Sequence, residues 1–186
     1  MEFPNKKYKI IYCDPAWLYD DRALAGNRGA GCKYTVMSSE DLEKLPVESI
    51  CEDDCIMFMW VTMPKLLDGT CMKVMRAWGF IPKTCAFNWV KYHKNLASFM
   101  GMGRWTRANS ELCILGTRGH PERMSAGVKQ MIEEYTGETL QSIPERHSKK
   151  PDMAREKIVE LCGDISRIEL FAREKKNGWD SWGNEI

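Results

Sequence analysis

The chain has 186 residues, 44% hydrophobic and 28% charged, with 27 Lys/Arg against 26 Asp/Glu for a net charge of +1. That length suits one well-buried domain and is short for two, and the composition is that of an ordinary globular protein. A membrane helix is excluded, because no run approaches the roughly 18 to 20 apolar residues one requires.

The N-terminus, "MEFPNKKYKI", has no apolar h-region and no small-residue cleavage site, so no secretory signal is read and a cytoplasmic location is expected. Cysteines stand at 13, 32, 51, 55, 71, 85, 113 and 162, with no Cys-x-x-Cys and no clustered histidines. Most fall inside apolar runs such as "CIMFMW" and "ELCILG". They read as buried free thiols, and neither a disulfide framework nor a metal site is expected.

In chain order, "YKIIYC" (8–13) predicts a short strand. A long loop containing "AGNRGAG" follows. Ser38 or Ser39 caps a helix through about Leu45, with acids in its first turn where the helix dipole favours them. "CIMFMWV" (55–61) lacks alternation, as a strand covered on both faces does. From Pro64 to Trp78, Leu67, Cys71, Val74, Met75 and Trp78 recur at helical spacing. "CAFNWVKY" and "ELCILG" predict further strands, and "QMIEEY" is a weaker one that helical pairing would also satisfy. Pro151 opens a last helix that Gly163 ends, and "RIELFA" is the last clear strand. No internal repeat or Ser/Pro linker interrupts this alternation. It predicts an α/β sandwich with a mostly parallel sheet, in which ligands bind beyond the carboxyl ends of the strands. "GMGRWT" and "AGNRGAG" fall short of dinucleotide and phosphate-loop fingerprints and read as mobile loops.

The even charge balance hides a polarised chain. Residues 69–110 hold Lys73, Arg76, Lys83, Lys91, Lys94, Arg104 and Arg107 and no acid, whereas residues 40–54 are rich in Asp and Glu. This pattern fits either solvated faces or a basic surface for a polyanion.

The stretch "IIYCDPAWLYDD" (10–21) ends its apolar run on an acid, a proline and a tryptophan. Asp14 should emerge at the ligand edge of the sheet, where a carboxylate can accept a hydrogen bond from an amine. Pro15 has a fixed φ and no N–H, so it biases the backbone toward presenting carbonyls. Trp17 offers a flat face to a base; taken alone, the four residues from Asp14 to Trp17 are more commonly a helix or turn cap followed by a core tryptophan. Two acceptors beside an aromatic plate suit an exocyclic amino group. Its nitrogen becomes a better nucleophile when both N–H groups are held.

"CDPAW" resembles the D-P-P-W motif of the MT-A70 family of S-adenosylmethionine-dependent adenine-N6 methyltransferases. The resemblance continues in order through "YTVMSSEDLEKLPV", "FMWVTMPKL", "NWVKYHK", "GRWTRANSELCILGTRGHP", "HSKKPD" and "IELFAREKKNGWDSWGNE". It implies one methyltransferase domain over residues 1–186, Rossmann-like, with helices on both faces of the sheet and the catalytic motif preceding the cofactor motif. It implies catalytic roles for Asp14, Pro15, Ala16 and Trp17. Tyr34 would face the target base. The S-adenosylmethionine contacts it implies are Asp14, Lys150, Leu170, Phe171, Arg173, Asn184 and Glu185, with Lys150 reaching the methionine carboxylate. Lys91, Lys94, Arg104 and Arg107 would then sit beside the active-site edge and bind phosphates. The implied substrate is adenine in nucleic acid, DNA ahead of RNA, with sequence specificity coming from loops or from an oligomeric partner, a homodimer or a partner subunit.

One departure bears on catalysis. Ala16 replaces the second proline, leaving the loop less preorganised by roughly 0.4 to 1 kcal/mol. The other reading it keeps open is a catalytically weak scaffold that binds nucleic acid or a partner methyltransferase subunit.

Overall fold

The computed structural model describes residues 2–18, 36–93, 95, 97, 101, 105–136 and 149–186. Tyr34, Lys94, Arg104 and the "AGNRGAG" stretch lie outside them. Of "GMGRWT", Gly101, Trp105 and Thr106 are described, in neither helix nor strand.

Seven strands and four α-helices are formed by the described residues. The strands are β1 (Tyr8–Cys13), β2 (Cys51–Val61), β3 (Ile81–His93), β4 (Ser110–Arg118), β5 (Met131–Thr136), β6 (Arg167–Leu170) and β7 (Asp180–Trp182). The helices are α1 (Ser39–Glu43), α2 (Met63–Leu67), α3 (Thr70–Ala77) and α4 (Asp152–Cys162). One sheet runs β5-β3-β4-β2-β1-β6-β7 and is mostly parallel, with β1 parallel to both β2 and β6, β6 to β7, and β3 to β5. The expected Rossmann-like α/β architecture is present.

The chain divides into two compact units. The first comprises Met1–Thr84, Ile114–Pro121 and Ser166–Ile186; the second comprises Cys85–Cys113 and Glu122–Ile165.

In the first unit β1 is central, and its unbroken apolar run is explained by burial on both faces: Ile10, Ile11 and Cys13 have no exposed surface. A buried Trp60 indole N–H donates to the Tyr12 hydroxyl at 2.7 Å, so the polar ends of two large side chains satisfy each other inside the core. Helix α1 starts as expected, with Ser38 Oγ accepting the Asp41 N–H at 3.1 Å.

Several elements differ from their expected bounds. The helical run from Pro64 to Trp78 is two helices. Gly69 adopts φ +80°, the left-handed conformation that closes α2, and the Asp68 carboxylate accepts the Thr70 N–H at 2.8 Å to begin α3. Strand β2 starts at Cys51, four residues before the expected Cys55. Tyr8 pairs with Cys51 while Ile10 pairs with Ile56, so the intervening acids are accommodated in an irregularity of the ladder. The ambiguous "QMIEEY" segment is strand β5. Strand β7 gave no periodic signal because it has three residues. "RIELFA" ends as a strand at Leu170, since Phe171 turns to φ +60°.

In the second unit α4 buries Ala154, Ile158 and Cys162 along one stripe, and the Gly163 N–H closes it on the Val159 carbonyl at 2.8 Å. Across the described residues Cys13, Cys51, Cys55, Cys71, Cys113 and Cys162 are buried free thiols and Cys85 is half-buried, in keeping with their apolar surroundings in the sequence. No described helix is long and apolar enough to cross a membrane.

Candidate active site

In the first unit three parallel strands deliver their carboxyl ends side by side. Cys13 pairs with Met59 on β2 and with Leu170 on β6, and Leu170 pairs in turn with Trp182 on β7. The next residue on each of β1, β6 and β7 is Asp14, Phe171 and Gly183 respectively. Three segments singled out in the sequence therefore reach one sheet edge, the edge at which parallel sheets bind ligands.

Asp14 is half-buried and Pro15 is buried. The Pro15 carbonyl accepts the Trp17 N–H at 2.9 Å, and the Ala16 carbonyl accepts the Met37 N–H at 2.9 Å. Trp17 is 5% exposed, with its indole N–H donating to the Trp60 carbonyl at 3.2 Å. The tryptophan is thus held to the end of β2 through its own polar atom, and most of its ring is covered by protein.

Phe171 takes a left-handed backbone without being glycine, a conformation that costs about 1 to 3 kcal/mol and persists where surroundings enforce it. The surroundings here are aromatic: the Trp78 ring stacks at 6.5 Å and the Trp182 ring meets Phe171 edge-on at 5.5 Å. Arg173 Nε lies 3.5 Å from Glu185 Oε1, joining the segment after β6 to the segment after β7. Asn184 is exposed beside it. At Gly183 a Cβ would run into the Ala172 backbone, whose N–H donates to the Trp182 carbonyl at 3.0 Å. Gly183→Ala should therefore force the two strand ends apart and cost about 2 to 3 kcal/mol of stability. Chemical unfolding of the variant checks this.

The second unit places the cations. Lys150 is buried, 8% exposed, and its ammonium lies 3.1 Å from Glu111 Oε2. Glu111 Oε1 accepts from the Lys91 ammonium at 2.7 Å, and that ammonium also sits 3.8 Å from the centre of the Trp89 ring. Burial pushes the Glu111 carboxyl up, but Lys150 and Lys91 outweigh it and hold the group at about 2. Sequence reasoning missed Glu111. Its signal was an acid at the start of an apolar strand whose neighbour in the sheet carries a lysine. Arg107 is exposed, and Trp105 is 95% exposed.

The first unit offers a carboxylate acceptor at Asp14, a guanidinium at Arg173, an exposed amide at Asn184 and a strand end at Gly183 with no room for a side chain. Among the described residues no group of His, Cys, Asp and Glu is arranged to hold a metal ion.

The MT-A70 family model matches residues 8–185, nearly the whole chain, and so includes every one of these positions. The chain belongs to the MT-A70 family. It is 33% identical to the Type II methyltransferase M.MunI of a Mycoplasma species, over 100% of this chain and 80% of that protein. It is 25% identical to the human N(6)-adenine-specific methyltransferase METTL4, over 98% of this chain and 38% of that protein. It is 26% identical to the N6-methyladenosine RNA methyltransferase MTA1 of Cryphonectria parasitica, over 96% of this chain and 52% of that protein. This MT-A70 protein is an adenine-N6 methyltransferase, and the family implies a methyl donor of the S-adenosylmethionine type.

Proposed function

We propose that the chain methylates the N6 amino group of adenine in DNA, with S-adenosylmethionine as donor, and that residues 1–186 act as one methyltransferase domain. The observation that carries this reading is the delivery of Asp14 to the carboxyl edge of β1, beside the ends of β6 and β7. When bound, S-adenosylmethionine supplies an electrophilic methyl group. The Asp14 carboxylate and the Pro15 carbonyl accept hydrogen bonds from the adenine amino group, which directs its lone pair outward and keeps the amine in place. Trp17, pinned to the Trp60 carbonyl, holds this turn against the sheet.

Lys150 pairs with the carboxylate of the donor, and its neighbour Glu111 keeps the ammonium oriented. Arg173 and Asn184 donate to ribose hydroxyls, with Leu170, Phe171 and Glu185 flanking the same molecule. Tyr34 faces the target base. Lys91, Lys94, Arg104 and Arg107 bind phosphates, Lys91 sharing its charge with Glu111. Binding should weaken steeply as salt rises, since phosphate contacts release counterions. A duplex target has its adenine turned out of the stack. Sequence specificity comes from loops or from assembly as a homodimer or with a partner subunit.

DNA is placed ahead of RNA because the relative matched over 80% of its own length is the Mycoplasma Type II enzyme. The identities of 25% and 26% to METTL4 and MTA1 cover 38% and 52% of those proteins.

Nucleoside mass spectrometry after incubation with donor and with unmethylated DNA or RNA tests the reading. N6-methyladenine on DNA, lost in Asp14→Ala, is the expected result. Methylation of RNA alone would reverse the polymer. No product on either, with no binding of the donor, would leave a scaffold in its place.

A further inference from the structure

The catalytic turn carries alanine where the family motif carries its second proline, and other contacts fix that position. Trp17 N–H donates to the Pro15 carbonyl at 2.9 Å, a bond from residue i+2 back to residue i that makes Ala16 the centre of a γ-turn. Phe171 is the one described non-glycine residue with positive φ, so Ala16 is in the inverse form, whose central φ is about −75°. A proline ring would impose about −65°. Ala16 thus has close to a proline's backbone, held by hydrogen bonds in place of a ring.

The second tie comes from Met37. Met37 N–H donates to the Ala16 carbonyl at 2.9 Å, and Leu18 N–H donates to the Met37 carbonyl at 3.1 Å. Together they make an isolated parallel bridge between Trp17 and Met37. The two bonds fix the peptide planes on both sides of Trp17. Met37 is itself anchored, since the next residue, Ser38, caps α1. That helix buries Leu42 completely, and the Leu42 carbonyl accepts the Trp78 indole N–H at 2.7 Å. The bridge therefore ties the turn to the core by way of α1.

We propose that Met37 is a positioning residue for methyl transfer: its main-chain bridge to Ala16 and Leu18 locks the Asp14–Trp17 turn, and so makes alanine sufficient at position 16. This rests on the methyltransferase reading above. Because the tie is an N–H and a carbonyl, substituting proline at 37 removes the donor. A proline at 16 supplies the missing restraint by another route.

The test is a cycle of Met37→Pro, Ala16→Pro and the double variant, read as kcat and as KM for S-adenosylmethionine on the full chain. Met37→Pro should lower kcat about tenfold or more while KM for the donor changes less than about threefold, and the double variant should recover most of the loss. A Met37→Pro enzyme as fast as wild type overturns the proposal. So does a double variant as slow as Met37→Pro, which would make the defect general. If Met37→Pro does not fold by circular dichroism, amide exchange on the wild type decides. A Met37 amide protected about a hundredfold or more supports the bridge, and an unprotected one removes it. Wild type that neither binds donor nor methylates DNA or RNA would defeat the methyltransferase reading, while amide exchange would still read the bridge.

Discussion

Glu111→Gln should lower the free energy of unfolding by about 3 kcal/mol at neutral pH, measured by urea or guanidinium titration. The carboxylate stands between two ammonium groups, 2.7 Å from Lys91 and 3.1 Å from Lys150. Glutamine keeps the volume and one acceptor, so no cavity opens and the effect is that of the charge. What remains is two cations facing each other across a neutral amide, with the Lys150 side chain 7% exposed. Breaking a buried ion pair from one side costs about 3 to 5 kcal/mol. The lower end applies because the Lys91 and Glu111 side chains are each 22% exposed and partly screened. Adding Lys91→Gln should return part of the loss, since it removes one of the two facing charges.

The same carboxyl gives a pH signature. Its folded value of about 2 lies below its ordinary 4.5. A depressed carboxyl stabilises the fold fully above the unfolded value, and that contribution disappears as pH falls from about 4.5 toward 2. Wild type and Glu111→Gln should therefore differ most above pH 5 and converge near pH 2. Equal unfolding midpoints at pH 7 would mean that Lys150 is held by something other than Glu111.

Asp14→Asn should reduce kcat about 10²- to 10³-fold, the range found when one preorganised electrostatic contact to a reacting centre is removed. The amide is nearly the same size, so the half-buried position is kept and the turn from Pro15 to Trp17 has no steric reason to move. What changes is that one acceptor oxygen becomes an NH₂ donor aimed where the adenine amine must also donate. Two donors face each other and the charge that polarised the amine is gone. Donor affinity should fall by about tenfold at most, because Asp14 is one of several contacts proposed for it. Single-turnover rates at saturating S-adenosylmethionine separate the two effects. A variant with wild-type rate would remove Asp14 from the chemistry.

Much of this protein is written locally. The apolar run of β1, the Ser38 cap, the stripe of Cys71, Val74, Met75 and Trp78, and the Gly163 stop each depend on residues within a turn or two of one another. The order of the motifs from "CDPAW" to "GWDSWGNE" was equally visible, and with it the family. Where the sequence misled, contacts outside the apolar period decided. The break at Asp68-Gly69 overrode a sound apolar period because a left-handed glycine and a side-chain cap ended one helix and began another. The acids before Cys55 entered β2 because the ladder to β1 could absorb extra residues. Three residues sufficed for β7 because β6 was already in place to pair with them.

The sequence by itself thus determined the α/β class and the strands that form its core, which follow from residue type and short spacing. Only the tertiary structure decided that Glu111 joins Lys91 to Lys150, that Met37 bridges to Ala16, and that the ends of β1, β6 and β7 lie together. Those contacts join residues far apart in the chain. They arise when strand order and register bring particular atoms within hydrogen-bonding distance, and no local period encodes that.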